Sequence, residues 1–379
     1  MGVLGVAIIG TGMIAAVHRR AVLASGARLQ GVLGSSAGRS QQMAAAWACR
    51  GYTSMAELLA DAAVDVVHIC TPNALHHEMA ADALRAGKHV VCEKPLATEL
   101  AHARELQQLA ETTGRVATVP YVYRYHPMVR EARARIQAGD IGAIKLIHGS
   151  YLQEWLLNAT DTNWRVDAVK GGASRAFADI GSHWCDLIEW VTGERFVATV
   201  ALLSTAQAQR PQATQATFAQ GGGSGAQAPV STEDIACALL RTDRGTPANL
   251  TISQVSAGRK NRLWFEIDGE RESLTFDQEL PEQLWVGRPS GTTLLVKDPG
   301  QGSSEQRRMA ILPAGHAQGY NECFAAFVQD TYATIGGARP EGLPTFADGL
   351  RSAQLIEAVL ASSRNQTWAP IGSATPHPV

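Results

Sequence analysis

From residue 3 to about residue 121 the chain alternates two patterns. Compact apolar runs, rich in β-branched residues, occupy 3–9, 29–33, 64–70, the Val90-Val91-Cys92 stretch and 116–121. Such runs read as strands buried on both faces. Between them apolar residues recur at helical spacing. One helix follows the first strand to Leu23, another can be capped by Ser35 or Ser36, and a short one opens on the capping box Ser54-Met55-Ala56-Glu57. Two more cover 76–86, closed by Gly87, and 98–113, closed by Gly114. Strands alternating with helices at short spacing predict a parallel sheet with right-handed crossovers. Residues 1–123 therefore read as a Rossmann-type α/β domain.

Beyond Tyr123-Arg124-Tyr125-His126-Pro127 the pattern changes. A helix over 128–138 leads to a strand over 144–153. Further strands are expected at 199–204, 235–240, 249–255, 263–267, 284–286 and 293–296. Strands in succession, without helices between them, predict an antiparallel or mixed sheet. Residues 207–231, rich in Gln, Ala and Gly, read as a long mobile surface insertion with no chemistry of its own. The chain returns to helix over 320–335 and 346–363, with Leu350, Ala353, Ile356 and Leu360 on one face of the latter. Residues 124–379 thus read as an α+β domain with an open, mainly antiparallel sheet, the half of the chain expected to build the substrate site.

Composition narrows the function classes. Of 379 residues, 45% are hydrophobic and 18% charged, which is ample for two cores. A formal net charge of -2 offers no footprint for nucleic acid or an anionic membrane. The 6 Cys are scattered, with no C-x-x-C pair and no Cys/His cluster, so neither a metal site nor a disulfide framework is expected. No run approaches the ~20 apolar residues of a membrane span. The first residues lack a basic leader pattern, and a cytoplasmic location is the expectation.

Candidate chemistry gathers at strand ends. Gly10-Thr11-Gly12-Met13-Ile14-Ala15 is a G-x-G-x-x-A turn between a strand and a helix. Gly10 permits the tight turn, Gly12 lets a pyrophosphate approach the backbone, and the helix N-terminus offers free N–H groups. An acid after the second strand would bind the ribose of NAD. Here Ser35, Ser36 and Arg39 stand there instead, which suits a 2′-phosphate and leans towards NADP. Both serines can equally serve as helix caps, and Arg39 can be solvated. Thr71-Pro72-Asn73 ends the next strand, and His76 lies on the ligand side of the sheet as a candidate for the nicotinamide pocket. Glu93-Lys94-Pro95 ends the strand after that, where open α/β sheets bind ligands; the plainer alternative is a surface Lys in a turn. In the second half, Asp179 and His183 are four apart and would share a helix face, a pairing suited to proton transfer. An N-cap Asp with a first-turn His is the plainer alternative, and Asp186 reads as structural.

Taken in order, Gly-x-Gly-x-x-Ala, Glu-Lys-Pro and the Asp-x-Gly-x-His that follows Gly171-Gly172 resemble the glucose–fructose oxidoreductase / inositol dehydrogenase (Gfo/Idh/MocA) family, over essentially the whole chain. The resemblance implies Lys94 as the residue that binds and polarises the reacting oxygen, often before a cis proline bond, with His183 as general acid/base and Asp179 in support. It also implies a far sheet face that makes homodimers or homotetramers. Tyr151 to Trp155, with Trp164 and Arg165, resemble a sugar-dehydrogenase subgroup typified by levoglucosan dehydrogenase. Tyr125, Trp155, Trp164, Arg165, His316 and Tyr320 are then candidates for lining a sugar or polyol site. The leading expectation is an NAD(P)-dependent dehydrogenase of sugars, anhydrosugars or polyols. The alternatives are a non-catalytic dinucleotide-sensing regulator on the same fold, or a reductase of a non-sugar carbonyl.

Overall fold

The computed structural model describes residues 2–211 and 225–372. Its contacts divide the chain into two units, Met1–Val122 with Val169–Gly172 and Tyr320–Ala353, and the remainder.

The first unit is built on six short strands, β1 (Gly5–Ile9), β2 (Arg28–Leu33), β3 (Arg50–Tyr52), β4 (Val66–Ile69), β5 (His89–Cys92) and β6 (Ala117–Thr118). They pair in parallel in the order β3-β2-β1-β4-β5-β6. Helices α1 (Met13–Ala24), α2 (Ala37–Trp47), α3 (Met55–Ala60), α4 (His76–Arg85) and α5 (Leu100–Thr113) are the crossovers. The apolar runs are buried as expected: every residue of β1 and β4 is inaccessible, and Ala80, Ala81 and Leu84 of α4 pack into the same core. The sixth strand is shorter than the apolar run over 116–121 suggests, because Val119 N bonds instead to Pro344 O. The helix closures fall on Gly87 and Gly114, both at positive φ. A consequence of the all-parallel pairing is that the turns after β1, β2, β4 and β5 all leave one edge of the sheet.

The second unit begins with α6 (Pro127–Gln137) and β7 (Ile144–Leu152). After the short α7 (Ala168–Gly171), whose end belongs to the first unit, comes α8 (Ser182–Thr192), then β8 (Phe196–Ser204), β9 (Gln209–Pro211), β10 (Gln227–Pro229), β11 (Ile235–Thr242) and β12 (Pro247–Ser253). There follow β13 (Arg262–Gly269), β14 (Ser273–Asp277), β15 (Gln283–Arg288), β16 (Gly291–Val296), α9 (Ser304–Met309), α10 (Tyr320–Ile335), α11 (Phe346–Asn365) and β17 (Ala369–Pro370). Nine of these strands form one sheet in the order β16-β15-β14-β13-β7-β12-β11-β8-β17, antiparallel except for β7 beside β12. Strict alternation, as in Ala236, Ala238 and Leu240 buried against exposed Cys237, Leu239 and Arg241, packs one face on α6 and α8 and leaves the other open.

Three features differ from the sequence expectation. The strand β14, too short and mixed to stand out, lies inside the main sheet. Helix α10, expected with the second domain, packs along α1 in the first unit. The insertion over 207–231 is no free surface loop at its ends. Its β9 and β10 pair, and Arg210 is buried, donating to the carbonyls of Leu156, Asn158 and Asp161. Residues 212–224 lie outside the described ones. No helix among the described residues is long and apolar enough to cross a membrane.

Candidate active site

In the first unit, Gly10 has φ +110°, and a Cβ there would meet Cys70 O at 2.4 Å, so only glycine fits the turn between β1 and α1. Gly12 is the N-cap of α1 and supplies no side-chain cap. A Cβ on Gly12 would lie in open space, so the first N–H groups of α1 face a clear approach. Thr11, Met13 and Ile14 complete that turn, with Met13 55% exposed. Beside it Arg39 donates from Nε to Thr11 Oγ1 at 3.1 Å. Ser36 caps α2, accepting from Arg39 N, while Ser35 is exposed. After β4, Thr71 Oγ1 is a buried hydroxyl with no partner among the described residues, and Asn73 donates to Gly171 O at 2.9 Å. An uncapped helix end, an open glycine face and an orphaned hydroxyl on one sheet edge fit a dinucleotide.

His76 does not present its ring nitrogens to that edge. They face the Pro95 and Thr71 carbonyls at 2.8 and 3.0 Å, so the ring latches two turns together. Burial holds its imidazole below the ordinary range. Lys94 follows β5, half-buried, with a cis bond to Pro95. Its main-chain N–H donates to Glu93 Oε2 at 3.1 Å. Glu93 is buried, and its other oxygen meets His18.

In the second unit the Asp179–His183 pairing is not a plain α-helical one. Phe177–Gly181 is a single π-turn, closed by Ser182 N bonding to Phe177 O, and α8 starts only at Ser182. The wider turn offsets the i, i+4 stacking that α-helical spacing predicts. Gly181 is required there, since a Cβ would meet the Phe177 ring at 2.6 Å. Asp179 accepts from Gln254 Nε2 at 2.9 Å and faces Arg165 Nε at 3.5 Å. Gln254 is fully buried, which fixes the carboxylate in place. His183 is buried, its ring edge-on to Tyr123 at 4.8 Å. From Tyr123 a polar chain runs outward: its hydroxyl meets the Tyr151 hydroxyl at 2.6 Å, Tyr151 donates to Asn261 at 2.7 Å, Gln153 also donates to Asn261, and Trp155 Nε1 donates to Gln153. Burial raises the Tyr123 phenol above its ordinary range, so it stays protonated. Trp164 and Arg165 pair, guanidinium over ring at 4.5 Å.

The other candidates scatter. Tyr125 is fully buried under the Arg130 guanidinium, a core ring. His316 is exposed on a loop where its carbonyl accepts from Lys297, and Tyr320 opens α10 in the first unit. Asp186 pairs with Arg124 in the core, the structural role expected of it. Sequence reasoning missed Tyr123, Gln254, Asn261 and the His18–His68 pair, which no local motif marks.

Residues 4–121 match the family model described as an oxidoreductase family with an NAD-binding Rossmann fold, and residues 129–275 match the Gfo/Idh/MocA C-terminal domain. Levoglucosan dehydrogenase of Pseudarthrobacter phenanthrenivorans is 31% identical over 83% of this chain and 82% of its own length. The chain belongs to the Gfo/Idh/MocA oxidoreductase family. Among solved structures, an oxidoreductase domain protein from Kribbella flavida superposes with a TM-score of 0.88 at 30% identity, covering 98% of this chain and 100% of that one. A levoglucosan dehydrogenase complex with NADH and L-sorbose gives 0.89 at 28% identity, covering 97% and 99%. As a Gfo/Idh/MocA member this chain is an NAD-binding oxidoreductase, with the Rossmann and mixed-sheet domains just described.

Proposed function

We propose that this protein transfers hydride between nicotinamide and a secondary alcohol or carbonyl of a sugar, anhydrosugar or polyol. The observation that carries the reading is the edge of the first sheet, where the open Gly12 turn after β1 and Lys94 after β5 face the same way. Support for a carbohydrate comes from the second unit, where Trp155, Gln153, Asn261 and Tyr151 join ring faces to hydroxyl-matching amides. Relatives named for levoglucosan, 1,5-anhydro-D-fructose and inositol point to the same substrate class.

When bound, the nicotinamide takes or gives the hydride. In this reading the Lys94 ammonium binds the reacting oxygen, and His183 accepts the hydroxyl proton during oxidation. Asp179, oriented by Gln254 and Arg165, steadies the charged imidazole. Of the two dinucleotides NADP suits the edge after β2, where the Arg39 guanidinium meets Thr11 and Gln42 and no acid among the described residues, although relatives' structures hold NADH. The open sheet face, with Leu202, Leu239 and Leu294 each more than half exposed, is the proposed contact between copies in a homodimer or homotetramer.

The test is a panel of levoglucosan, 1,5-anhydrosugars, aldoses and inositols with each cofactor, following reduced nicotinamide. Lys94→Ala and His183→Ala should each cut turnover by about 10²–10⁴-fold while dinucleotide affinity stays within about threefold. Dinucleotide binding with no turnover on any carbohydrate would favour the regulator, and turnover confined to non-sugar carbonyls the other reductase. Arg39→Ala should weaken NADPH binding by about tenfold and NADH hardly at all.

A further inference from the structure

Four polar side chains inside the first unit form a line of hydrogen bonds that the proposed reaction does not use. Glu93 Oε1 faces His18 Nε2 at 3.0 Å, His18 Nδ1 faces His68 Nδ1 at 2.8 Å, and His68 Nε2 faces the Tyr332 hydroxyl at 2.8 Å. Both imidazoles are fully buried, and Glu93 and Tyr332 nearly so. The four residues come from α1, β4, the end of β5 and α10. Phe324, about two turns before Tyr332 on α10, packs edge-on against His18 at 4.6 Å. Two imidazoles meeting Nδ1 to Nδ1 hold a single hydrogen between them, so each ring fixes the protonation of the other.

The direction of the line follows from its ends. Burial alone would push the Glu93 carboxyl up, but the bond from His18 and the nearby Lys94 ammonium outweigh that and hold it below the ordinary range. A carboxylate only accepts, so its two oxygens take hydrogens from His18 Nε2 and from the Lys94 main chain. Burial holds His68 well below the ordinary imidazole range, so it carries one N–H. With His18 neutral, His68 Nδ1–H donates to His18 Nδ1 and the Tyr332 O–H donates to His68 Nε2. Every hydrogen in the line then has an acceptor. A cationic His18 would turn His68 round and strand the buried Tyr332 hydrogen, for which the described bonds provide no second acceptor.

We propose that Tyr332, His68 and His18 are positioning residues that fix the Glu93 carboxylate and, through it, the Lys94 main chain. The role matters for turnover because of the reading of Lys94 as the group that binds the reacting oxygen. Helix α10 thereby becomes a support of the Lys94 turn, through polar contacts and not only through packing.

Nitrogen NMR on the full chain, with nitrogen-15 in its histidine rings, tests the line. The expected result is a coupling across the hydrogen bond between His18 Nδ1 and His68 Nδ1, with hydrogen on Nε2 of His18 and on Nδ1 of His68. Uncoupled rings, or hydrogen on Nε2 in both, would overturn it. Tyr332→Phe keeps the ring and removes the last donor. It should move the His68 Nε2 resonance and speed hydrogen exchange of the Lys94 amide by about tenfold, the worth of roughly one net hydrogen bond, with β1 amides unchanged. Unchanged exchange at Lys94, or equal acceleration throughout the unit, would overturn the positioning role. Neither readout needs substrate or dinucleotide. Full turnover in Lys94→Ala would therefore remove the proposed reaction and leave the line standing, whereas missing nitrogen coupling would remove the line alone.

Discussion

Two buried carboxylates, one in each unit, are held by different chemistry. Asp234 in the second unit meets two guanidiniums, Arg175 at 2.5 Å and Arg210 at 3.2 Å, and also accepts from the Ala206 and Gln207 main chain. A guanidinium is charged at any accessible pH, so this pair is a fixed strut. Together with Glu233, which accepts from Ser174, Arg175 N and Phe177 N, it pins the turn that leads to Asp179. Glu93 in the first unit meets an imidazole instead, and behind it a second imidazole and a phenol. That line carries directional hydrogens and no cation, so the carboxylate keeps its charge. The contrast teaches that the fold spends permanent charge where it must hold a backbone turn, and neutral hydrogen-bond donors where it must orient one carboxylate beside a candidate catalytic lysine.

The comparison can be broken most forcefully on the guanidinium side. Arg175→Ala leaves Asp234 buried against a single Arg and should cost about 3–5 kcal/mol of stability, read by denaturant unfolding. A loss under about 1 kcal/mol would mean that the strut is dispensable. Buried imidazoles in both units are sharpened by pH, His126 in the second and His68 in the first. His126 is a buried imidazole with no partner at either nitrogen among the described residues, and burial pushes it down to about 4. A base whose folded value lies below its unfolded value of about 6.5 contributes fully above that pH and loses its contribution as pH falls towards the folded value. Between pH 7 and 5 the wild type should therefore lose about 2 kcal/mol more than His126→Leu does. Parallel slopes would mean that His126 is solvated in the folded state. His68 works in the same direction, since burial also lowers it. A smaller effect should come from Gln254→Leu, which removes the amide donor from Asp179. Turnover should fall by about tenfold with dinucleotide affinity unchanged, the worth of one bond to a charged group; an unaltered rate would separate Asp179 from the chemistry.

Local pattern carried the first unit further than the second. Gly10 and Gly12 sit between an apolar run and a helical one, and steric need at Gly10 is written into the motif. Lys94 could be singled out because a charged pair and a proline end a buried strand. In the second unit Asp179 and His183 were legible as a spacing, but the π-turn that changes their relation was not, because it depends on Gly181 fitting against Phe177. Tyr125 looked like its neighbour Tyr123, yet one ring is packed beneath Arg130 and the other heads the polar line to Trp155. Arg210 shows the same limit: inside a Gln- and Ala-rich stretch nothing local says that a side chain turns inward to three carbonyls.

The sequence by itself determined the parallel Rossmann sheet, the later run of antiparallel strands, and the order of the three motifs, because strand and helix periodicity and glycine sterics act over a few residues. Only the tertiary structure decided that α10 returns to the first unit, that Gln254 holds Asp179, and that His18, His68 and Tyr332 line up behind Glu93. Those pairings span 50 to 264 residues of chain, and burial selects them only once the sheets have formed.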